Sequence, residues 1–207
     1  MSCLRLQLTQ LESKDALDRL LEGNKTFCKR ITNSDSTYFP KMGEGQSPEV
    51  LWIGCADSRI PETTICDLKP GDIFVHRNIA NVVRPHDINT GSVVEYAVAH
   101  LKVKKVVVCG HTKCGGANAS LGDADLGDVL NTWLEPVRDL RRKNAHLLEG
   151  LATQDAKANL LAEMNVLKGI ETLKAIPTVL KKVKSGELTI HGLIYDIPTG
   201  TLKALNL

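Results

Sequence analysis

Cys55, Asp57 and Arg59 stand at alternate positions just past the apolar run Val50 to Ile53, and His111 and Cys114 follow a second run, Val106 to Cys109. Thiolate sulfur and imidazole nitrogen are donors that suit zinc, so Cys55, His111 and Cys114 form a candidate metal set. Three protein ligands leave a fourth position open, which is the arrangement of a catalytic rather than a structural zinc site. A His-x-x-Cys pair alone is a weak sign, because cysteines at strand ends are often only small buried thiols. The neighbours strengthen it. Asp57 can take the fourth position or accept a hydrogen bond from hydroxide held there, and Arg59 can grip that carboxylate with a bidentate pair and draw it off the metal. In an extended segment the side chains of Cys55, Asp57 and Arg59 point the same way. Gly115 and Gly116 let the backbone approach closely, and a helix starting there would aim its N–H groups at the Cys114 thiolate.

These residues need a frame that brings two strand ends together. The stretch from Ser13 to about Arg30 repeats Leu17, Leu20, Leu21 and Phe27 at helical spacing, which predicts an amphipathic N-terminal helix. Asn33 to Gln46 has no periodicity and reads as an extended arm or loop, long enough to need a surface to lie against. A short strand at Ile73 to Val75 follows the Lys69-Pro70-Gly71-Asp72 turn. Val93, Val94, Ala97, Val98 and Leu101 then share a helical face and lead into the strand Lys105 to Cys109, so strand, helix and strand imply parallel pairing. Leu126 to Leu148 and a stretch from about Lys157 read as helices, Pro177 begins a new turn, and Leu188 to Ile197 is a last main strand. Pro198-Thr199-Gly200 turns that strand into a short terminal one. The predicted architecture is α/β, a mainly parallel central sheet with helices on both faces and an extended N-terminal helical arm. We expect residues 1–46 to form the helix and arm, and residues 47–207 the zinc-binding catalytic core of what is overall a single domain.

Composition narrows the class. The 207 residues carry a net charge of +2, too little basic excess to argue for nucleic acid. No run approaches a membrane helix in length, and Met1-Ser2-Cys3-Leu4-Arg5 lacks the apolar region of a signal peptide, so the expected compartment is the cytoplasm. There, cysteines are reduced, buried or metal-bound; Cys3, Cys28, Cys66 and Cys109 read as ordinary small thiols.

CADSR at 55–59 together with HTKCGG at 111–116 resembles the paired signature of the beta-class carbonic anhydrases. The similarity runs along most of the chain: Gln46, Gly71 to Asn81, Glu95 to Val98, Glu163 to Val166 and His191 to Asp196, with Pro61 to Ile65 looking most like the fungal members. The resemblance implies one zinc per subunit on Cys55, His111 and Cys114, and hydration of carbon dioxide to bicarbonate by zinc-bound hydroxide. It also implies a homodimer or homotetramer with the pocket at the subunit interface. There Gln46 would reach the substrate from the partner, with Phe74, Ile79, Tyr96, Gly115 and Gly116 around it. Two thiolates offset the metal's charge, so the bound water should be less acidic than in a three-histidine site and activity should favour alkaline pH. Trp52, Arg77 and Tyr195 match positions at which some members bind a second, regulatory bicarbonate.

Two other readings keep the metal. Carbonyl sulfide or carbon disulfide offers the same linear electrophile, which some relatives hydrolyse. A non-catalytic zinc protein would have Asp57 closing the site for good, but Arg59 and Gln46 are not needed to hold zinc.

Overall fold

A computed structural model describes residues 15–206. The predicted helix start at Ser13 and the thiol of Cys3 lie outside the described residues. The chain divides into two units, one ending at Gln46 and the other beginning at Ser47.

In the first unit, α1 (Ala16–Ser34) is capped by Asp15, whose carboxylate accepts the Leu17 N–H at 3.0 Å. It buries no residue, and Leu17, Leu20 and Leu21 stay 60%, 70% and 55% exposed. The expected extended arm is not extended throughout, because Tyr38–Glu44 forms α2. Asp35 Oδ1 accepts from both the N–H and the hydroxyl of Thr37 at 2.9 and 2.7 Å, which ends α1 and turns the chain. Phe39 then packs edge-on against Phe27, ring centroids 6.0 Å apart. A helix so short shows no period in sequence, and aromatic contacts formed only on folding hold it.

The second unit is built on five strands: β1 (Val50–Cys55), β2 (Ile73–Asn78), β3 (Lys105–His111), β4 (Thr189–Asp196) and β5 (Thr201–Ala204). Their order is β2-β1-β3-β4-β5, parallel except for the antiparallel β4–β5 pair. The intervening helices are α3 (Glu62–Ile65), α4 (Ile88–Glu95), α5 (Gly115–Ala119), α6 (Asp128–Lys143), α7 (Ala145–Glu149), α8 (Gln154–Lys174) and α9 (Pro177–Lys184). Asp87 caps α4 through the N–H groups of Asn89 and Thr90, so the helix predicted from Val93 begins earlier and runs on through a wide π turn, Tyr96–His100. The helix expected from Leu126 to Leu148 breaks at Asn144, whose side-chain amide donates to the Leu140 carbonyl at 2.8 Å.

Alternation sorts the strands into two faces. Leu51 and Ile53 lie level with Val106 and Val108, and all four are fully buried beneath Val166, Ile170 and Leu173 of α8, Val94 of α4 and Val179 of α9. At Gly110 an added Cβ would stand 2.9 Å from Val166 Cγ2, so α8 lies against β3 only because that position is glycine. On the other face Trp52, Val107 and Cys109 gather Ile65 and Cys66 from the α3 segment, with the remaining packed hydrophobics coming from the sheet itself. Helical segments therefore meet both faces, as expected, with α4, α8 and α9 on one and the short α3 segment on the other.

Candidate functional site

Cys55 is the last residue of β1 and His111 the last of β3, its neighbour in the sheet. The chain leaves β1 toward β2 on one side, and β3 lies on the other, so the two residues end adjacent parallel strands at the switch point of the sheet. Clefts in open α/β sheets form at that place. Cys114 is the N-cap residue of the short α5, where the nearby amides of Gly116 and Ala117 favour its ionised form, as the Asp57 amide favours that of Cys55. The three ligand atoms lie within 4.8 Å of one another, and all three residues are buried.

Two observations show that the cluster fits a cation. His111 Nδ1 lies 2.8 Å from the Thr112 carbonyl oxygen, which fixes the proton there and leaves Nε2 as a lone pair, and Nε2 is buried with no hydrogen-bond partner. The two buried sulfurs oppose each other's ionisation. The hydrogen bond from Cys114 is the largest influence lowering Cys55 to about 4, and the same contact together with burial drives Cys114 far up. A dication among them removes that conflict, and two thiolates with one neutral imidazole are a zinc donor set.

Asp57 and Arg59 reach the cluster by a route different from strand alternation. The strand ends at Cys55 and the chain turns at Ser58 and Arg59. Asp57 Oδ1 accepts the Arg59 N–H at 2.9 Å, and the guanidinium returns with Nε on Oδ1 at 2.9 Å and Nη2 on Oδ2 at 2.7 Å. This bidentate grip holds the carboxyl well below the ordinary carboxylate range. Asp57 Oδ2 stays 4.0 Å from His111 Nε2, beside the ligand cluster and engaged by Arg59.

The remaining expected residues divide. Phe74 and Tyr96 meet with ring centroids 5.8 Å apart, and Tyr96 and Ile79 are 48% and 44% exposed, which leaves apolar surface available to a ligand or partner. Gly116 is required: its added Cβ would stand 2.8 Å from Ala80 Cβ and 3.4 Å from Ile79 Cγ2, whereas Gly115 faces open space. Gln46 ends the first unit and is exposed. Trp52 is 6% exposed on the thinly covered sheet face, and Tyr195 packs in the same cluster. Arg77 donates to the carbonyls of Cys55 and Asp57 at 2.9 and 2.5 Å and lies 3.7 Å from Glu62, so an anion there would share it with these groups.

Residues outside the expected site hold its wall. Ala80 and Asn81 are buried in left-handed conformations, φ 59° and 45°. Asn78 brackets them, accepting from the Val82 N–H at 2.8 Å and donating to the Val82 carbonyl at 3.0 Å. Asn165 donates to the Ala80 carbonyl at 2.8 Å across 85 residues of chain, and Trp133 Nε1 donates to the Ile79 carbonyl at 2.9 Å. The polar Asn165 within the apolar face of α8 was the one visible sign of this.

The carbonic anhydrase family profile matches residues 50–202. A carbonic anhydrase of Candida albicans is 44% identical over 95% of this chain and 70% of its own. A tetrameric beta-carbonic anhydrase of Sordaria macrospora superposes with a TM-score of 0.92 at 44% identity, covering 94% of this chain and 98% of that one. The beta-carbonic anhydrase of Coccomyxa, solved with acetazolamide, gives 0.87 at 39% identity over 93% and 87%. With the ligand cluster, the sheet and the sequence in agreement over most of its length, the chain belongs to the beta-carbonic anhydrase family.

Proposed function

We infer that this chain catalyses the reversible hydration of carbon dioxide to bicarbonate and a proton at a zinc ion held by Cys55, His111 and Cys114. The observation that carries the reading is the buried cluster of three ligand atoms within 4.8 Å, with an ionised carboxylate held 4.0 Å from the free imidazole nitrogen. Zinc bound there would supply a Lewis acid that activates water near neutral pH. The protein's own groups do the rest. Asp57, kept ionised by Arg59, accepts a hydrogen bond from the attacking water and so points its lone pair at the substrate carbon. Arg59 keeps that carboxylate from drifting toward the cation. Phe74, Ile79 and Tyr96 offer a nonpolar molecule an apolar wall, Gly115 leaves open space beside it, and Gly116 lets the α5 turn pack against Ala80 and Ile79 of that wall.

The finer reading concerns assembly. The apolar stripe Leu17, Leu20 and Leu21 is uncovered, and the beta-carbonic anhydrase of Sordaria macrospora is tetrameric. We place α1 and the arm against a partner subunit in a homodimer or homotetramer, with Gln46 reaching the partner's substrate, and we place the enzyme in the cytoplasm. Among the described residues no helix is long and apolar enough to cross a membrane. A bicarbonate at Trp52, Arg77 and Tyr195 remains a regulatory proposal, tested by whether Trp52→Ala removes inhibition by added bicarbonate.

Stopped-flow hydration of carbon dioxide by the zinc-loaded protein tests the activity, with carbonyl sulfide and carbon disulfide assayed alongside. Rapid hydration inhibited by acetazolamide is expected; a protein that turns over only the sulfur compounds would overturn the substrate assignment. Sedimentation at low concentration tests assembly, and a fully active monomer would remove the role of Gln46.

A further inference from the structure

The loop that carries Cys114 is braced from behind by α8. Lys113 sits in the left-handed region at φ 57°, which residues with side chains seldom adopt without support. Its peptide groups are held on both sides. The Lys113 N–H donates to Asn159 Oδ1 at 3.1 Å, and the Lys113 carbonyl accepts from Arg59 Nη2 at 3.2 Å. Asp155, one turn earlier on α8, pairs with the Lys113 ammonium, and Gln154 Nε2 donates to Asn118 Oδ1 at 3.1 Å. The first turns of α8 thus touch the segment from Lys113 to Asn118, the turn and the start of α5, through three side chains.

These contacts differ in what they can fix. The Lys113–Asp155 pair is open to solvent, with side chains 45% and 60% exposed, and exposed pairs of this kind contribute little. Asn159 is half-buried and bonds the backbone itself: it anchors the Thr112–Lys113 peptide plane, from which the left-handed φ of Lys113 directs the next plane, the one that carries the Lys113 carbonyl. Arg59 is half exposed, and that carbonyl is the one acceptor it has outside its own turn among the described contacts. Remove the Asn159 oxygen and Lys113 is free to relax to negative φ, which swings its carbonyl away from the guanidinium.

We propose that Asn159 is a positioning residue: by anchoring the Lys113 N–H it holds Lys113 in its left-handed conformation, which aims the Lys113 carbonyl at Arg59, and so sets how firmly Arg59 holds Asp57 beside the metal cluster. The kinetic part rests on the carbonic anhydrase reading; the structural part does not.

Two measurements on the zinc-loaded full chain test it. The first is solvent exchange of the Arg59 Nε–H by nitrogen-15 NMR, the signal identified by its loss in Arg59→Lys. Exchange should be several-fold faster in Asn159→Ala and return to the wild-type rate in Asn159→Asp, which keeps an oxygen at that place. The second is a double-mutant cycle on kcat/KM. Asn159→Ala should lower it roughly fivefold, the factor that one ordinary hydrogen bond is worth, and lower it no further in an Arg59→Ala background. Unchanged exchange, or the same loss in both backgrounds, overturns the proposal. Should Asn159→Ala fail to fold, Asn159→Gln displaces the oxygen by one methylene and carries the same expectations. An inactive wild type would count against the carbonic anhydrase reading, and exchange alone would then decide the role of Asn159.

Discussion

The two halves of the site are held in different ways. Cys55 and His111 end strands and take their positions from the sheet ladder, Cys114 is the N-cap residue of α5 just past β3, and the three are 5%, 0% and 3% exposed. Asp57 and Arg59 lie on a turn, their side chains 16% and 50% exposed, and are placed by polar contacts to each other and to the Lys113 carbonyl. The metal cluster is therefore a rigid element and the carboxylate–guanidinium pair an adjustable one. Hydrogen bonds at an exposed turn open at small cost, whereas moving a ligand on β1 or β3 means breaking the core.

The contrast predicts which changes remove the metal and which only slow the reaction. Cys55→Ser, Cys114→Ser and His111→Ala should each lose zinc and bring activity to the uncatalysed background; atomic absorption showing full zinc in either cysteine variant would contradict the ligand set. Asp57→Asn and Arg59→Ala should keep one zinc per chain and lose roughly a hundredfold in kcat/KM, the scale for one preorganised electrostatic group. Zinc lost with either would merge the two halves into one.

Smaller effects should follow from the wall that both halves share. Asn165→Ala leaves the buried Ala80 carbonyl without its donor, a loss of about 1–3 kcal/mol that urea unfolding would read. A variant as stable as wild type would mean that water replaces the amide and that the strained turn needs no support from α8.

The smallest expected effect is on pH dependence. Burial holds His76 below its ordinary value of 6.5, with the Asp87 charge opposing that shift, and Asn78 and Thr90 contact its ring. Folding therefore resists protonation there: the contribution of His76 to stability is complete above pH 6.5 and lost as pH falls through its lower folded value. The fall in urea midpoint between about pH 8 and about pH 5 should be smaller in His76→Gln than in wild type. An equal fall would assign the acid sensitivity to other groups.

Much of this was legible in the residues because it depends on local chemistry. Soft donors at the ends of apolar runs point to a metal cluster, since strands in a parallel sheet bring their C-terminal ends to one edge. The amphipathic period of α1 and the alternation in β4 show in side-chain types alone. Helix ends were less legible: Asn144 and Asp87 act through a capping hydrogen bond that has no period, and α2 depends on Phe27 and Phe39 meeting.

By itself, then, the sequence determined the donor set, the parallel α/β plan and the presence of a carboxylate and a guanidinium within reach of the metal, because spacing and residue type are enough to decide these. Tertiary structure alone decided that Arg77 is bound by the Cys55 and Asp57 carbonyls, and that Asn159 and Asn165 reach the site from α8. Each of those depends on where a hydrogen-bonding group finds its partner, often dozens of residues away, and no local pattern records that distance.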